Sequence, residues 1–161
     1  MMNNKKGISA IVATVLIILI TVAAVTIIWA AIIPMVSNQL DKGSACLDAV
    51  SDLTIGGSGY SCVETTGIVN VQVKLGGKGT ILDDIRIIVD DDTGNTILST
   101  LLNAASPNGL GLTLPGPNSA RLVTTGALTN PQSVSIAPII TIGNAQETCD
   151  TAATFTLPAC G

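Results

Sequence analysis

The sequence contains no histidine and only three aromatic residues, Trp29, Tyr60 and Phe155. Without histidine the chain cannot form a Ser-His-Asp or Cys-His catalytic set, nor most types of zinc site. Nucleic-acid binding usually requires a basic surface and rings on which bases stack, yet from Gly43 onward four basic residues face ten acidic ones, a net charge of −6. We therefore expect no enzyme activity, no cofactor, no metal site and no nucleic-acid partner.

The chain has four cysteines and no C-x-x-C pair. An even number of cysteines in an extracytoplasmic domain predicts two disulfides, whereas a cytosolic protein would keep them as buried free thiols. Four cysteines allow three pairings. We favour Cys46–Cys62 with Cys149–Cys160, because these two bonds close the shortest loops.

One long apolar segment is present near the N-terminus, KKGISAIVATVLIILITVAAVTIIWAAIIPMV, in which the 29 residues from Ile8 to Val36 carry no charge. As a helix this run would be about 43 Å long, and about 20 apolar residues suffice to cross a bilayer. Lys5 and Lys6 precede it and predict a cytoplasmic N-terminus. A cleaved secretion signal has an apolar core of only about 7–15 residues, so this segment is too long to be one.

The stretch KKGISAIVATVLIILITVAAVTIIWAAIIP resembles the class III, prepilin-type signal of archaeal type IV pilins and archaellins, and the resemblance extends over residues 5–53. In that family an aspartic membrane peptidase cuts directly after a Lys/Arg-Gly pair. The resemblance implies that residues 1–7 are a signal peptide and that the processing residues are Lys5, Lys6, Gly7 and Ile8. The apolar segment would then begin the mature subunit.

The same resemblance implies the partners and the location. Subunits of this family form a helical homopolymer with the help of the prepilin peptidase, an assembly ATPase and a membrane platform protein. We expect a single-pass membrane precursor that becomes part of an extracellular filament. Bacterial pilins usually begin with Phe or Met and carry Glu as the fifth residue, whereas the corresponding positions here are Ile8 and Val12. The subunit contact attributed to that glutamate is therefore not expected.

Pro34 lies near the end of the apolar run, where it should remove the hydrogen bond to Ala30 and bend or interrupt the helix. Beyond it we expect the helix to continue to residue 52 and to pack one face on the following domain. The residues predicted for that face are Val36, Leu40, Leu47 and Val50, and those predicted to be more exposed are Asn38, Asp41, Asp48 and Asp52.

Residues 53–161 are rich in glycine, threonine and β-branched residues, and apolar residues alternate in several short runs. About seven short strands separated by Gly, Pro and Asn turns predict an antiparallel sandwich or small barrel. Pro138 indicates an edge strand or a bulge. The alternating positions are Val69, Val71, Val73 and Leu75; Ile85, Ile87 and Val89; Leu110, Leu112 and Leu114; Val134, Ile136, Ile140 and Ile142; and Ala153, Phe155 and Leu157.

The predicted fold class is therefore α+β: a long hydrophobic N-terminal helix followed by an all-β head, an immunoglobulin-like sandwich or small barrel. The resemblance implies the lollipop shape of pilins. The expected divisions are residues 1–7 (signal peptide), 8–52 (membrane-spanning helix, later filament core) and 53–161 (globular head).

Two acidic groups could suggest chemistry. In VDDDTGNT, the glycine arrives one residue too early for an EF-hand and the closing glutamate is replaced by Thr100, so we predict a hairpin turn. Asp83 and Asp84 beside Arg86 are predicted to be solvated strand or turn residues and not an acid/base pair.

The predicted function is that of a structural subunit of an archaeal type IV adhesion pilus. One alternative is an archaellin-type subunit of a motility filament, because the signal fits both classes. A second alternative is a membrane-anchored extracellular binding domain, in which the apolar helix is a plain anchor.

Overall fold

The computed structural model describes residues 10–77, 82–103 and 109–161. Within these ranges the chain forms one helix followed by nine strands, which confirms the predicted helix followed by an all-β domain. The chain divides into two compact units, Met1–Asp41 and Lys42–Gly161. We call the described part of the first unit, residues 10–41, the N-terminal segment, and we call the second unit the β domain. The elements are α1 (Ala10–Asp52), β1 (Leu53–Ile55), β2 (Cys62–Val63), β3 (Ile68–Leu75), β4 (Asp84–Asp91), β5 (Thr96–Leu101), β6 (Ser119–Ala127), β7 (Pro131–Ile142), β8 (Ala145–Thr148) and β9 (Ala153–Thr156).

Helix α1 is 43 residues long and continues through Pro34. Of the two outcomes predicted at Pro34, an interruption is excluded, because helical backbone is present on both sides of the ring, and the expected single helix to residue 52 is confirmed. A proline removes one hydrogen bond of the ladder, and the helix continues past this loss to Asp52. The Ser37 hydroxyl donates a hydrogen bond to the Pro34 carbonyl oxygen at 3.2 Å.

The first sheet is built around β3. Strand β6 pairs with one edge of β3, and the short strands β1 and β2 share the other edge. Val69, Val71 and Val73 of β3 are fully buried, as their alternation predicted. This sheet therefore has one apolar face turned to the core and one polar face.

The second sheet is built around β7, a strand of 12 residues. Strand β4 pairs with one edge of β7 and itself pairs with β5, while β8 and β9 share the opposite edge of β7. Ile85, Ile87 and Val89 of β4 are fully buried, again as predicted. Buried side chains from both sheets form one common cluster, so the two sheets enclose a single apolar core.

Pro138 lies neither on an edge strand nor at a register shift, contrary to the prediction, but inside β7, where it is fully buried. Its carbonyl oxygen accepts a hydrogen bond from the Cys149 amide, on the edge of β7 where β8 and β9 pair. Because the nitrogen and the carbonyl of one strand residue point to the same edge, the proline nitrogen also faces that edge. Strand β8 pairs from Ile139 onward and β9 pairs only as far as Ile136. The missing N–H of proline therefore falls in the gap between two partner strands.

Leu110, Leu112 and Leu114 do not form a strand, contrary to the prediction. Gly111 has a φ of 73°, which ends extended backbone. The three leucines nevertheless pack against the main core, and the Leu110 and Leu112 amides donate hydrogen bonds to the carbonyl oxygens of Leu101 and Leu102. The alternation of Leu110, Leu112 and Leu114 therefore predicted their burial correctly but their secondary structure incorrectly.

Strand β6 is an edge strand, since in the described part of the chain it pairs with β3 alone. Arg121 of β6 lies opposite Val73 in the register. Cross-strand partners share a face of the sheet, so this arginine lies on the side of β6 that faces the core, and it is half-buried there.

Candidate functional site

The N-terminal segment presents an apolar surface on all sides. Its most hydrophobic stretch has a mean hydropathy of 3.0 over 18 residues, and none of that stretch is buried within the described chain. A helix that is apolar all round must be covered by lipid or by protein. The exposed large side chains of this segment include Ile11, Val12, Val15, Leu16, Ile17, Ile18, Leu19, Ile20, Val22, Val25, Ile27, Ile28, Trp29, Ile32, Ile33, Met35, Val36 and Leu40.

The few hydroxyl groups within this surface are satisfied by the helix itself. Thr14, Thr21 and Thr26 each donate a hydrogen bond of 2.9 Å to the carbonyl oxygen three residues earlier. Such local bonds remove the penalty of placing a hydroxyl in an apolar environment. These three hydroxyl groups therefore need no further polar partner when the helix enters lipid or contacts another apolar helix.

The predicted processing residues Lys5, Lys6, Gly7 and Ile8 lie outside the described residues. The cut after Gly7 thus stays a prediction from the sequence.

Within the β domain, the last turns of α1, from Lys42 to Asp52, pack on the second sheet through small residues. Ala49 is fully buried, and together with Ile140 and Cys149 it forms a second apolar cluster, against which Ala45, Cys46, Val50, Leu82 and Ile142 pack. Alanine and cysteine side chains let the helix backbone approach the strand closely. An ion pair reinforces the contact, because the Lys42 ammonium group lies 3.0 Å from the Glu147 carboxylate.

The predicted packing face of these last turns is partly wrong. Leu47 remains 71% exposed, and Leu40 of the N-terminal segment is 67% exposed, whereas Asp52 is only 6% exposed. The prediction placed large side chains in the contact, but a tight approach to the sheet selects the smaller neighbours Ala45 and Ala49. Val50, which is partly buried, was assigned correctly.

The predicted disulfide pairing, Cys46–Cys62 with Cys149–Cys160, is wrong. The structure contains Cys46–Cys149 and Cys62–Cys160, with Cα atoms 5.4 Å and 5.0 Å apart, within the normal disulfide range. Loop length did not predict the pairing, because the folded chain brings together cysteines that are far apart in sequence. Cys46 lies on the packed face of α1, next to the strand that leads to Cys149.

Cys62–Cys160 fastens the C-terminal tail to β2. The Val63 amide donates to the Pro158 carbonyl oxygen, and the Cys160 amide donates to the Val63 carbonyl oxygen. The tail thus runs beside β2 through backbone hydrogen bonds, which hold Cys160 at the distance that the bond to Cys62 requires.

The acidic run Asp90–Asp92, at the end of β4, leads into the predicted hairpin turn between β4 and β5. One carboxylate oxygen of Asp91 accepts hydrogen bonds from the Thr93 amide, the Thr93 hydroxyl and the Asn95 amide at 2.9, 2.7 and 2.9 Å. Gly94 adopts a φ of 80°, which an L side chain rarely adopts. Led by the Thr93 hydroxyl, these bonds lower the pKa of the Asp91 carboxyl below its usual 3.8.

We expect Asp91→Ala to loosen this hairpin, seen as faster hydrogen exchange of the Thr93 and Asn95 amides. The pH dependence follows from the lowered pKa: the contribution of the carboxylate is complete above the unfolded value of 3.8 and is lost as the pH falls through the folded value. Asp92→Ala is the matched control, because the Asp92 carboxylate makes none of these bonds. Equal exchange rates in both variants would contradict the role of Asp91.

Asp84 is buried, contrary to the prediction of a solvated residue, and is only 3% exposed. One of its carboxylate oxygens accepts hydrogen bonds from the backbone amides of Ile85, Leu102 and Asn103 at 2.7, 3.0 and 2.8 Å. Asp84 therefore joins the beginning of β4 to the chain that leaves β5. Its backbone partners identify it as a structural group.

A shallow cleft of about 510 Å³ lies between the end of α1 and the first sheet, lined by Ser51, Asp52, Thr54, Lys74, Leu75, Gly76, Asn118, Ser119 and Ala120. Ligand sites are usually concave and rich in apolar and aromatic side chains. The lining here has no aromatic ring, so it offers a sugar or a base nothing on which to stack.

No protein-family model, no curated protein sequence and no solved structure matches this chain. The function must therefore be inferred from the residues described above.

Proposed function

We propose that this chain is a pilin, the structural subunit of an archaeal type IV adhesion pilus that polymerises through its N-terminal apolar helix. The observation that carries the proposal is the exposed apolar surface of that helix. Water cannot be the final environment of such a surface, because burying apolar area is favourable by about 25 cal/mol per Å².

The length of the apolar run supports a filament over a plain membrane anchor. The run from Ile8 to Val36 would measure about 43 Å as a helix, and the hydrocarbon core of a bilayer is about 30 Å thick. About 13 Å of apolar helix therefore extends beyond what one crossing requires. Neighbouring copies of the helix can cover that excess directly, whereas a bilayer covers it only if the helix tilts or the bilayer thickens locally.

The two disulfides support an extracellular location for the β domain. Disulfides persist in oxidising compartments, and the Lys5–Lys6 pair before the apolar run favours a cytoplasmic N-terminus. Both features support the proposal that the β domain lies on the outer side of the membrane. The chain has a helix that could span a membrane, and its β domain has two disulfides. Both features are compatible with a precursor that is held in the bilayer before assembly.

In the proposed mechanism, the prepilin peptidase removes residues 1–7 and the helix then leaves the lipid. An assembly ATPase and a membrane platform protein would drive that transfer. Each helix would exchange lipid for the helices of its neighbours, and repetition of one non-closing contact would give an open filament. The β domains would cover the outside and determine what the filament adheres to.

The test replaces Gly7 by valine in the native host and compares the variant with Gly43→Ala, a glycine with open space around its Cβ position. We expect Gly7→Val to leave the precursor uncut and to abolish filaments, because the peptidase recognises a Lys/Arg-Gly pair. N-terminal sequencing of the subunit and electron microscopy of sheared appendages are the measurements.

For the unchanged chain and for Gly43→Ala we expect filaments whose subunit begins at Ile8. A membrane-bound monomer that begins at Met1 in all strains would contradict the proposal and favour the anchored binding domain. Loss of swimming on deletion of the chain, with filaments that rotate, would identify the archaellin alternative.

A further inference from the structure

The two disulfides of the β domain cross each other along the chain. In sequence order the cysteines are Cys46, Cys62, Cys149 and Cys160, and the first is bonded to the third and the second to the fourth, with sequence separations of 103 and 98 residues. Neither disulfide loop encloses the other. Each bond closes a loop that contains most of the β domain, so a force carried through that bond does not pass along the chain of the loop.

The positions of the bonds determine how a pull on the helix reaches the sheets. Without Cys46–Cys149, tension in α1 would enter the β domain through β1, a strand of three residues held by three register pairs with β3. With this bond, tension passes from the last turns of α1 to the residue that follows β8. Strand β8 pairs with β7, which is also paired with β4 over eight register positions.

We propose that the crossed disulfides are a mechanical stop, which lets the β domain lengthen only slightly when it is pulled between its helix and its C-terminus. Through Cys46–Cys149 only the 11 residues from Cys149 to Cys160 remain extensible. At a maximum of about 3.6 Å per residue, this path adds at most about 40 Å. The proposal requires that the helix is the attached end, which holds for a filament and for a membrane anchor alike.

The stop is redundant. Through Cys62–Cys160 alone, the 16 residues from Cys46 to Cys62 can extend, which allows at most about 60 Å. Without either bond the 114 residues from Cys46 to Cys160 can extend, to about 400 Å. The uncrossed pairing of neighbouring cysteines would leave the 87 residues between Cys62 and Cys149 free, or about 310 Å.

Single-molecule force spectroscopy on the full chain in detergent micelles tests the proposal. One handle is attached through a bioorthogonal side chain at position 40, where Leu40 is exposed, and the other at Gly161. The force is raised until the chemically reduced protein lengthens by about 400 Å, and the oxidised protein is then held at the same force. The double variants Cys46→Ser with Cys149→Ser and Cys62→Ser with Cys160→Ser are pulled under oxidising conditions.

The handles add the six residues from position 40 to Cys46 and the one residue after Cys160 to every path. We therefore expect the oxidised protein and the variant that keeps Cys46–Cys149 to lengthen by no more than about 65 Å, and the variant that keeps Cys62–Cys160 by no more than about 80 Å. A step of about 300 Å or more in the oxidised wild-type protein would overturn the proposal. The comparison of oxidised with reduced wild-type protein decides the question even if a serine variant does not fold.

Discussion

Replacing all four cysteines by serine is expected to lower the free energy of unfolding of the β domain by about 8 kcal/mol. A disulfide that closes a loop of about 100 residues removes close to 4.7 kcal/mol of chain entropy from the unfolded state. Once one bond is present, the crossed pairing shortens the loop that the second closes to roughly 27 residues, and its contribution falls to about 3.6 kcal/mol. Removal of either pair alone should therefore cost less than half of the total.

Hydrogen exchange of the buried β3, β4 and β7 amides, in the full chain in detergent micelles, measures this free energy without interference from α1. Chemically reduced wild-type protein is the matched control, because it loses the same crosslinks and keeps the cysteine side chains. Cys149 is 6% exposed, so any difference between the reduced protein and the serine variant reports the buried hydroxyl. A loss below about 2 kcal/mol in the reduced protein would contradict the chain-entropy account.

Asp84→Ala is expected to destabilise the β domain by about 3–5 kcal/mol. The substitution removes the acceptor of the Ile85 and Asn103 amides, and each buried N–H left without a partner costs about 1–3 kcal/mol. The Leu102 amide is less affected, since it also donates to the Ile85 carbonyl oxygen at 3.0 Å. Asp84→Asn keeps an oxygen acceptor at the same place and should lose clearly less.

Denaturant titration of these variants against Asp92→Ala gives the comparison. Asp92 is exposed in the hairpin turn, so its substitution removes one negative charge without removing a buried acceptor. If Asp84→Ala were no less stable than Asp92→Ala, the carboxylate of Asp84 would not hold β4 to the chain after β5.

The pattern of side chains along the sequence predicted most of the β domain. Alternation of apolar residues identified β3 and β4 because each has one face in the core, and alternation with period two is the direct trace of that geometry. It misled at Leu110 and Leu112, where irregular backbone also places every second side chain in the core. Pro138 misled for a related reason, since a central strand can accept proline where one partner strand ends and the next has not yet begun.

The parts that could not be predicted depend on contacts between residues far apart in the chain. The bond from Cys46 to Cys149 joins residues 103 positions apart, and no local preference reports such a distance. In the sequence Asp84 is a charged residue next to a predicted turn. Its burial depends on Leu102 and Asn103, whose backbone amides bind its carboxylate after β5. Leu47 misled because size alone does not show which side of a helix a sheet can approach.

In the proposed filament, many copies of this β domain would lie side by side, at a local concentration far above that of a dissolved protein. Under such crowding, an unpaired strand edge invites the edge of the next domain to join it. Arg121 lies on the core-facing side of the edge strand β6, opposite Val73. A foreign strand added there would take the guanidinium group out of water without giving it a counter-charge. In the proposed filament, Arg121 thus favours β domains that remain separate from one another.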